Sequence, residues 1–247
     1  MKELKLRGYV TAEDCGGDLQ KAVDLAAKLG LNKVVVDRDC KAASPVVLPS
    51  GMYLVVENGV LTADLMTAQQ ENYSLRTRYI TLEGVNGTVA GNIHLFNTHH
   101  VNVSGLKLQG SLTFEYCLWG RVEAITGGCV QVGRGCGNFI VQNVESDQPA
   151  RISGAVSCGR CVPGSKPDVN NIIFCDSRFA GDGVYLDGVE DCGLLNIQVD
   201  HVTAGGTPVT VGSGKELPEH AFMNLTFTDL SGPVVYQNAV RHVYEKE

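Results

Sequence analysis

Two carboxylates, Asp147 and Asp182, each stand just ahead of a short apolar run, Pro149-Ala150-Arg151-Ile152-Ser153 and Gly183-Val184-Tyr185-Leu186-Asp187. If those runs are neighbouring strands of one sheet, about 4.8 Å apart, the two carboxyls approach closely and push each other's pKa values apart. Hydrolysis of a glycosidic bond with inversion needs such a pair, one protonated to serve the leaving oxygen and one ionised to activate water. Catalytic roles are therefore expected at Asp147 and Asp182. Arg151 and Tyr185 alternate outward on the same strands, where a guanidinium beside an aromatic ring grips a sugar carboxylate or ring face. Asp187, at the end of the second strand, is counted with them as substrate-binding. The same residue types support a second reading, in which Asp at a coil corner satisfies its own backbone as a turn residue. Both readings stand at this level.

The sequence offers little to a metal. Nine Cys, an odd number in a chain too large to need staples, read as buried thiols of a reducing compartment rather than a disulfide framework. Cys158-Gly159-Arg160-Cys161 is the single CxxC, and no second ligand pair follows at ordinary zinc spacing. His94, His99, His100 and His201 are dispersed, and His99-His100 reads as a coil corner. No metal and no cofactor are expected, calcium being implied only if the chemistry is that of a lyase.

The elements that must position these residues are nearly all β. Leu19, Ala22, Val23, Ala26 and Leu29 recur at helical spacing, with Asp18 as N-cap and Gly30 as stop, which predicts one helix over 18–29. Beyond it lie short β-branched runs broken by Gly, Asn and Asp. Strand openings at Val101, Val122, Phe139, Ile172, Leu194 and Phe222 are separated by 21, 17, 33, 22 and 28 residues. A sandwich or barrel places turn signals every 8 to 12 residues or so, whereas solenoid coils of about 20 to 25 residues produce this longer period. The interval of 33 contains Cys161-Val162-Pro163-Gly164-Ser165-Lys166-Pro167-Asp168, a loop insertion. Cys117, Cys136, Cys158, Cys175 and Cys192 recur at about one coil and are expected to form a buried thiol ladder. The expected architecture is one domain over 1–247: an all-β, single-stranded right-handed parallel β-helix with coils over 45–236, its N-terminal end covered by the helix so that open strand edges are hidden.

Several segments together resemble the pectin-lyase-like superfamily and, within it, polygalacturonase-like proteins of glycoside hydrolase family 28. Gly17-Asp18-Leu19-Gln20-Lys21-Ala22-Val23, followed by Pro45-Val46-Val47-Leu48-Pro49-Ser50-Gly51-Met52-Tyr53-Leu54, is similar to that family's capping helix and first coil. Ile80-Thr81-Leu82-Glu83-Gly84 and Val101-Asn102-Val103-Ser104-Gly105-Leu106-Lys107-Leu108 resemble its coil repeats. The resemblance, over roughly 15–232, implies three catalytic Asp on neighbouring coils and a Gly-His-Gly beyond them. Here that pattern is degenerate. In one register the first motif falls on Thr126-Gly127-Gly128 and the Asp pair on Asp147-Gln148; in the other, Asp147 takes the first position, Gly181-Asp182 the pair, and Gly205-Gly206-Thr207 stands where the His would be.

The net charge of −7 and the lack of any Lys/Arg run argue against nucleic acid, and no stretch reaches membrane-spanning length. The expected partner is a polysaccharide or oligosaccharide, bound by a monomer or homotrimer that is cytoplasmic, or secreted if a leader has been removed. The first functional expectation is a carbohydrate-active protein, with glycoside hydrolysis by Asp147 and Asp182 or, less favoured, lyase chemistry. The alternative is a catalytically silent glycan-binding, adhesin or tail-fibre-like β-helix.

Overall fold

The computed structural model describes residues 1–218, 221–237 and, as backbone, 243–246, so residues 219 and 220 of the expected coil span lie outside it. The chain winds in coils whose strands stack into two parallel sheets, with the short strands Cys40–Lys41, Val60–Thr62, Thr88–Val89 and Lys107–Leu108 forming a side branch of the first. Sheet A runs from Val10–Thr11 through Lys33–Val36, Tyr53–Val56, Thr77–Gly84, Thr98–Ser104, Leu118–Thr126, Gly137–Ser146, Val169–Phe179, Leu194–Ala204 and Phe222–Thr228 to Val243–Lys246. Sheet B stacks Val46–Leu48, Leu65–Thr67, Ile93–Phe96, Ser111–Glu115, Cys129–Val132, Ala150–Ser153, Val184–Asp187, Val209–Val211 and Val234–Tyr236 in strict sequence order.

The expected helix forms over Leu19–Leu29. The Asp18 carboxylate accepts a hydrogen bond from Lys21 N at 3.0 Å, and Gly30 closes the C-terminus in the left-handed conformation at φ 68°. Its stripe of Leu19, Ala22, Val23 and Ala26 is buried against the first strands of both sheets, covering that end of the core. A second, six-residue helix at Lys2–Arg7, which periodicity did not suggest, buries no side chain.

Inward columns follow the pairing register: Ile80, Val101, Gly120, Phe139, Ile172, Ile197 and Leu225 lie one above another. The true steps are thus 21, 19, 19, 33, 25 and 28 residues. Three of the expected openings, Val122, Leu194 and Phe222, belong to other columns. For Val122 the reason is Gly120. Its inward position reads as polar in sequence, yet a Cβ there would collide with the Phe139 ring, which fills the space itself. Phe139 also packs on Phe114 at 5.1 Å between ring centroids, and both are fully buried.

The cysteine ladder is only two coils high. Cys117 and Cys136 are buried on successive coils, with Gly137 N donating to Cys117 O, but the column continues through Val169 and Leu194. Cys175 faces outward between Gln142 and Asp200, its thiol pushed up to about 11 by partial burial and neighbouring carboxylates. Cys158 and Cys161 are exposed in the loop after Ser153, and Cys192 is buried elsewhere, bonded to Pro167 O. A recurrence of about one coil could not separate inward from outward positions, because the insertions shift the phase. All nine thiols are free.

The longest strands of sheet A, from Leu118–Thr126 to Leu194–Ala204, each bend at two left-handed residues. The first corner column is Tyr79, His100, Trp119, Asn138, Asn171, Asn196 and Asn224; the second contains Ala124, Asn143, Asp176, His201 and Asp229. Asparagine suits the first corner because it tolerates positive φ and its amide can bond its neighbour. Asn171 donates to Asn138 Oδ1 at 3.1 Å, Asn196 to Asn171 at 3.1 Å, and Asn224 to Asn196 at 2.8 Å.

Asn171 sits mid-ladder, so its replacement separates the two contributions. Asn171→Gly keeps the corner and loses two exposed hydrogen bonds, about 1 kcal/mol. Asn171→Ala adds the left-handed backbone penalty, about 1 kcal/mol more. Urea unfolding midpoints should rank wild type above Gly above Ala, and equal midpoints for the two variants would rule out a backbone contribution.

Candidate functional site

Sheet B brings the expected substrate-binding residues together. Arg151 pairs with Tyr185 in register, on the outward face, and its guanidinium lies 5.4 Å from the Tyr185 ring centroid. The Tyr185 hydroxyl donates to Asp182 Oδ2 at 2.8 Å, while Asp182 Oδ1 accepts the Thr207 N–H at 3.0 Å. The Thr207 amide and then the Tyr185 hydroxyl hold the Asp182 carboxyl below the usual range. Both of its oxygens are engaged in closing the turn beneath the next coil. Asp187, two residues beyond Tyr185, has the opposite environment: burial pushes its carboxyl up, against the pull of Ser213, Lys215 and Arg151. Its Oδ1 is buried without a hydrogen-bond partner among the described residues. Asp147 is exposed, its backbone running beside Gly181 on the next coil, and its carboxylate makes no hydrogen bond or ion pair among the described residues. Adjacent coils thus do carry Asp147 and Asp182, as expected, but one carboxylate points to solvent and the other is tied into a turn.

A second surface was not legible as a site. Tyr79, His100 and Trp119 occupy the first corner column on three successive coils, where the next four coils use Asn. Bulky side chains disfavour that backbone, by roughly 1 to 2 kcal/mol each. Tyr79 and His100 stack with their ring centroids 4.9 Å apart, and Tyr79 and Trp119 are 61% and 55% exposed. Beside them runs an open groove of about 760 Å³, floored by Ile140 and Ile173 and edged by Asn102, Arg121 and Asn138. It crosses five coils, a length of about 19 Å at 4.8 Å per step. The signal was present in the sequence as the residue immediately before each inward position, Tyr79-Ile80, His100-Val101, Trp119-Gly120, but it becomes visible only once Gly120 is assigned to the column.

The second corner column borders a smaller cleft of about 340 Å³ lined by Glu145, Asp176, Arg178 and His201. His201 lies 3.0 Å from Asp200 and 3.3 Å from Asp229, and the hydrogen bond with Asp200 raises its pKa.

No protein-family model matches this sequence, and no curated protein matches it. Solved structures do. A tailspike protein of E. coli bacteriophage HK620, in double-mutant form, superposes with a TM-score of 0.50 at 12% identity, over 92% of this chain and 59% of that one. The surface adhesin PfbA of Streptococcus pneumoniae gives 0.45 at 11% identity over 97% and 93%. The A-module of the mannuronan C-5 epimerase AlgE6 of Azotobacter vinelandii gives 0.41 at 10% over 96% and 99%. The tailspike likeness, together with the two parallel sheets, shows the fold alone: the chain is a right-handed parallel β-helix.

The hydrogen bonds to Asp182 make a pH-dependent contribution. A depressed folded-state pKa adds stability that is complete above the unfolded-state value of about 3.9 and is lost as pH falls through the folded value. On acidification below about pH 4 the wild type should therefore lose more stability than Asp182→Asn, measured as urea midpoints. Parallel curves would show that the carboxylate form is not what the turn uses.

Proposed function

We propose that this β-helix binds an extended glycan in the groove beside Tyr79, His100 and Trp119. One observation carries the reading: three coils place aromatic rings at a backbone position that favours asparagine, and packing returns little of the strain, since Tyr79 and His100 stack only on each other and Tyr79 and Trp119 stay largely exposed. Aromatic faces cover the apolar C–H surface of sugar rings, and Asn102, Arg121 and Asn138 at the edges bond hydroxyl or carboxylate groups. A groove open along the helix axis and spanning five coils accepts a chain rather than a single sugar. This is glycan binding without a requirement for turnover.

Trp119 is the only tryptophan in the chain, so its fluorescence reports the groove directly. Titration with a panel of neutral and uronate oligosaccharides should change the emission saturably. Trp119→Asn should weaken binding at least about tenfold, or ~1.4 kcal/mol. The same substitution should raise stability by about 1 kcal/mol, because the corner regains its preferred residue. A variant that loses stability and keeps its affinity would remove Trp119 from the site.

A second reading is favoured by the oppositely displaced carboxyls on sheet B: Asp187 raised and Asp182 lowered, on either side of Tyr185. Asp182 is tied into its turn through both oxygens, whereas Asp187 has the raised carboxyl that a general acid needs. With Arg151 and Tyr185 holding the sugar, Asp187 would protonate the leaving oxygen of a polygalacturonase-like hydrolysis. New reducing ends from polygalacturonate, lost in Asp187→Asn, are the expected outcome of this reading. Binding without product from any glycan leaves the non-catalytic reading standing.

A further inference from the structure

We infer that His94, Glu115 and Cys158 form a binding site for a borderline-soft divalent metal ion, of which Zn2+ is the type. His94 lies on Ile93–Phe96 and Glu115 ends Ser111–Glu115, the next strand of sheet B, with Phe96 and Glu115 in register. The two residues are therefore diagonal neighbours on one face, and His94 Nε2 is 2.8 Å from Glu115 Oε1. Cys158 arrives from the loop after Ser153, and its own N–H donates to both Glu115 oxygens, at 3.0 and 2.8 Å. One imidazole nitrogen, one carboxylate oxygen and one sulfur thereby come within 4.8 Å of one another.

Three features point to a cation rather than to an incidental cluster. Glu115 is only 2% exposed, and the Cys158 N–H and His94 ring that bond its oxygens carry no fixed positive charge, so a bound cation would balance the buried carboxylate. The nearby arginines are engaged elsewhere: Arg134 is bidentate to Asp191, and Arg160 pairs with Glu71. The loop is held in place independently of the cluster, because Val162 is buried against Phe96 and Tyr116, so Cys158 is presented by packing and not by the donor atoms alone.

The donor set selects the ion. Sulfur and imidazole disfavour calcium and magnesium and suit zinc, which takes these three ligand types in tetrahedral geometry. Binding expels one proton from the Cys158 thiol, and the thiolate and carboxylate then balance the +2 charge. Three protein ligands leave a fourth position for a solvent molecule. The ion would tie two successive coils to the loop, and Cys158 takes its partners not from a second Cys but from residues 21 apart that the coil brings together. This inference is independent of the glycan reading.

Cobalt is the probe, added to the full chain under reducing conditions. One equivalent should bind, with a thiolate-to-cobalt charge-transfer band and the intense visible bands of a tetrahedral ion, both displaced by Zn2+. Cys158→Ser should abolish the charge-transfer band. His94→Gln, with retention of the fold checked by circular dichroism, should lower affinity at least about tenfold. Cys161→Ser should leave both unchanged. Zn2+ should raise the thermal midpoint of the wild type and not of Cys158→Ser. The assignment is overturned if the wild type binds no cobalt, if the charge-transfer band survives in Cys158→Ser, or if His94→Gln binds as tightly as wild type.

Discussion

The structure depends on the parallel hydrogen-bonded register between successive coils. Each coil repeats the path of the one below at about 4.8 Å, so every position in a coil becomes a column along the whole molecule. Columns that point inward must be apolar or absent, as Gly120 is absent beneath the Phe139 ring. Columns at the corners must tolerate positive φ. Columns that point outward are free of both demands, and function is written there.

That constraint turns substitutions within a column into a comparison the protein makes with itself. Four coils solve the first corner with asparagine and gain a side-chain ladder. Three coils decline the same solution and hold aromatic rings there against the backbone preference. Energy stored in this way at an exposed position is characteristic of recognition surfaces, because packing returns little of it. The carboxyls of sheet B tell a related story. Asp182 is lowered because the next coil's amide reaches down to it, and Asp187 is raised because its end of the strand is covered. Identical residue types five positions apart are given opposite character by what the neighbouring coils place over them.

Insertions between strands break the period and add chemistry the coils cannot supply. The segment between Ser153 and Val169 lengthens one coil to 33 residues and folds back so that Val162 plugs an apolar site beside Phe96 and Tyr116. In doing so it brings a thiol to a buried carboxylate two coils away in sequence order. Such a site belongs to neither the loop nor the sheet alone.

How much of this was legible in the chain follows from the range of the interactions involved. Local periodicity and turn chemistry specify the helix Leu19–Leu29 with its Asp18 and Gly30 caps, the short strands, and a coil period that excludes sandwiches and barrels. The neighbouring placement of Arg151 and Tyr185 was also readable, because their coils differ only by a recognisable insertion. Register was not, since it depends on which apolar residues share one interior. Val122, Leu194 and Phe222 look as good as Gly120 looks poor until the Phe139 ring is seen to occupy the glycine's space. With register undetermined, the aromatic corner of Tyr79, His100 and Trp119, the true height of the cysteine ladder, the turn-closing contacts of Asp182 and the meeting of His94, Glu115 and Cys158 were all decided by tertiary structure. Each needs residues 19 or more positions apart to be set a few ångströms from one another, and only the stacking of coils does that.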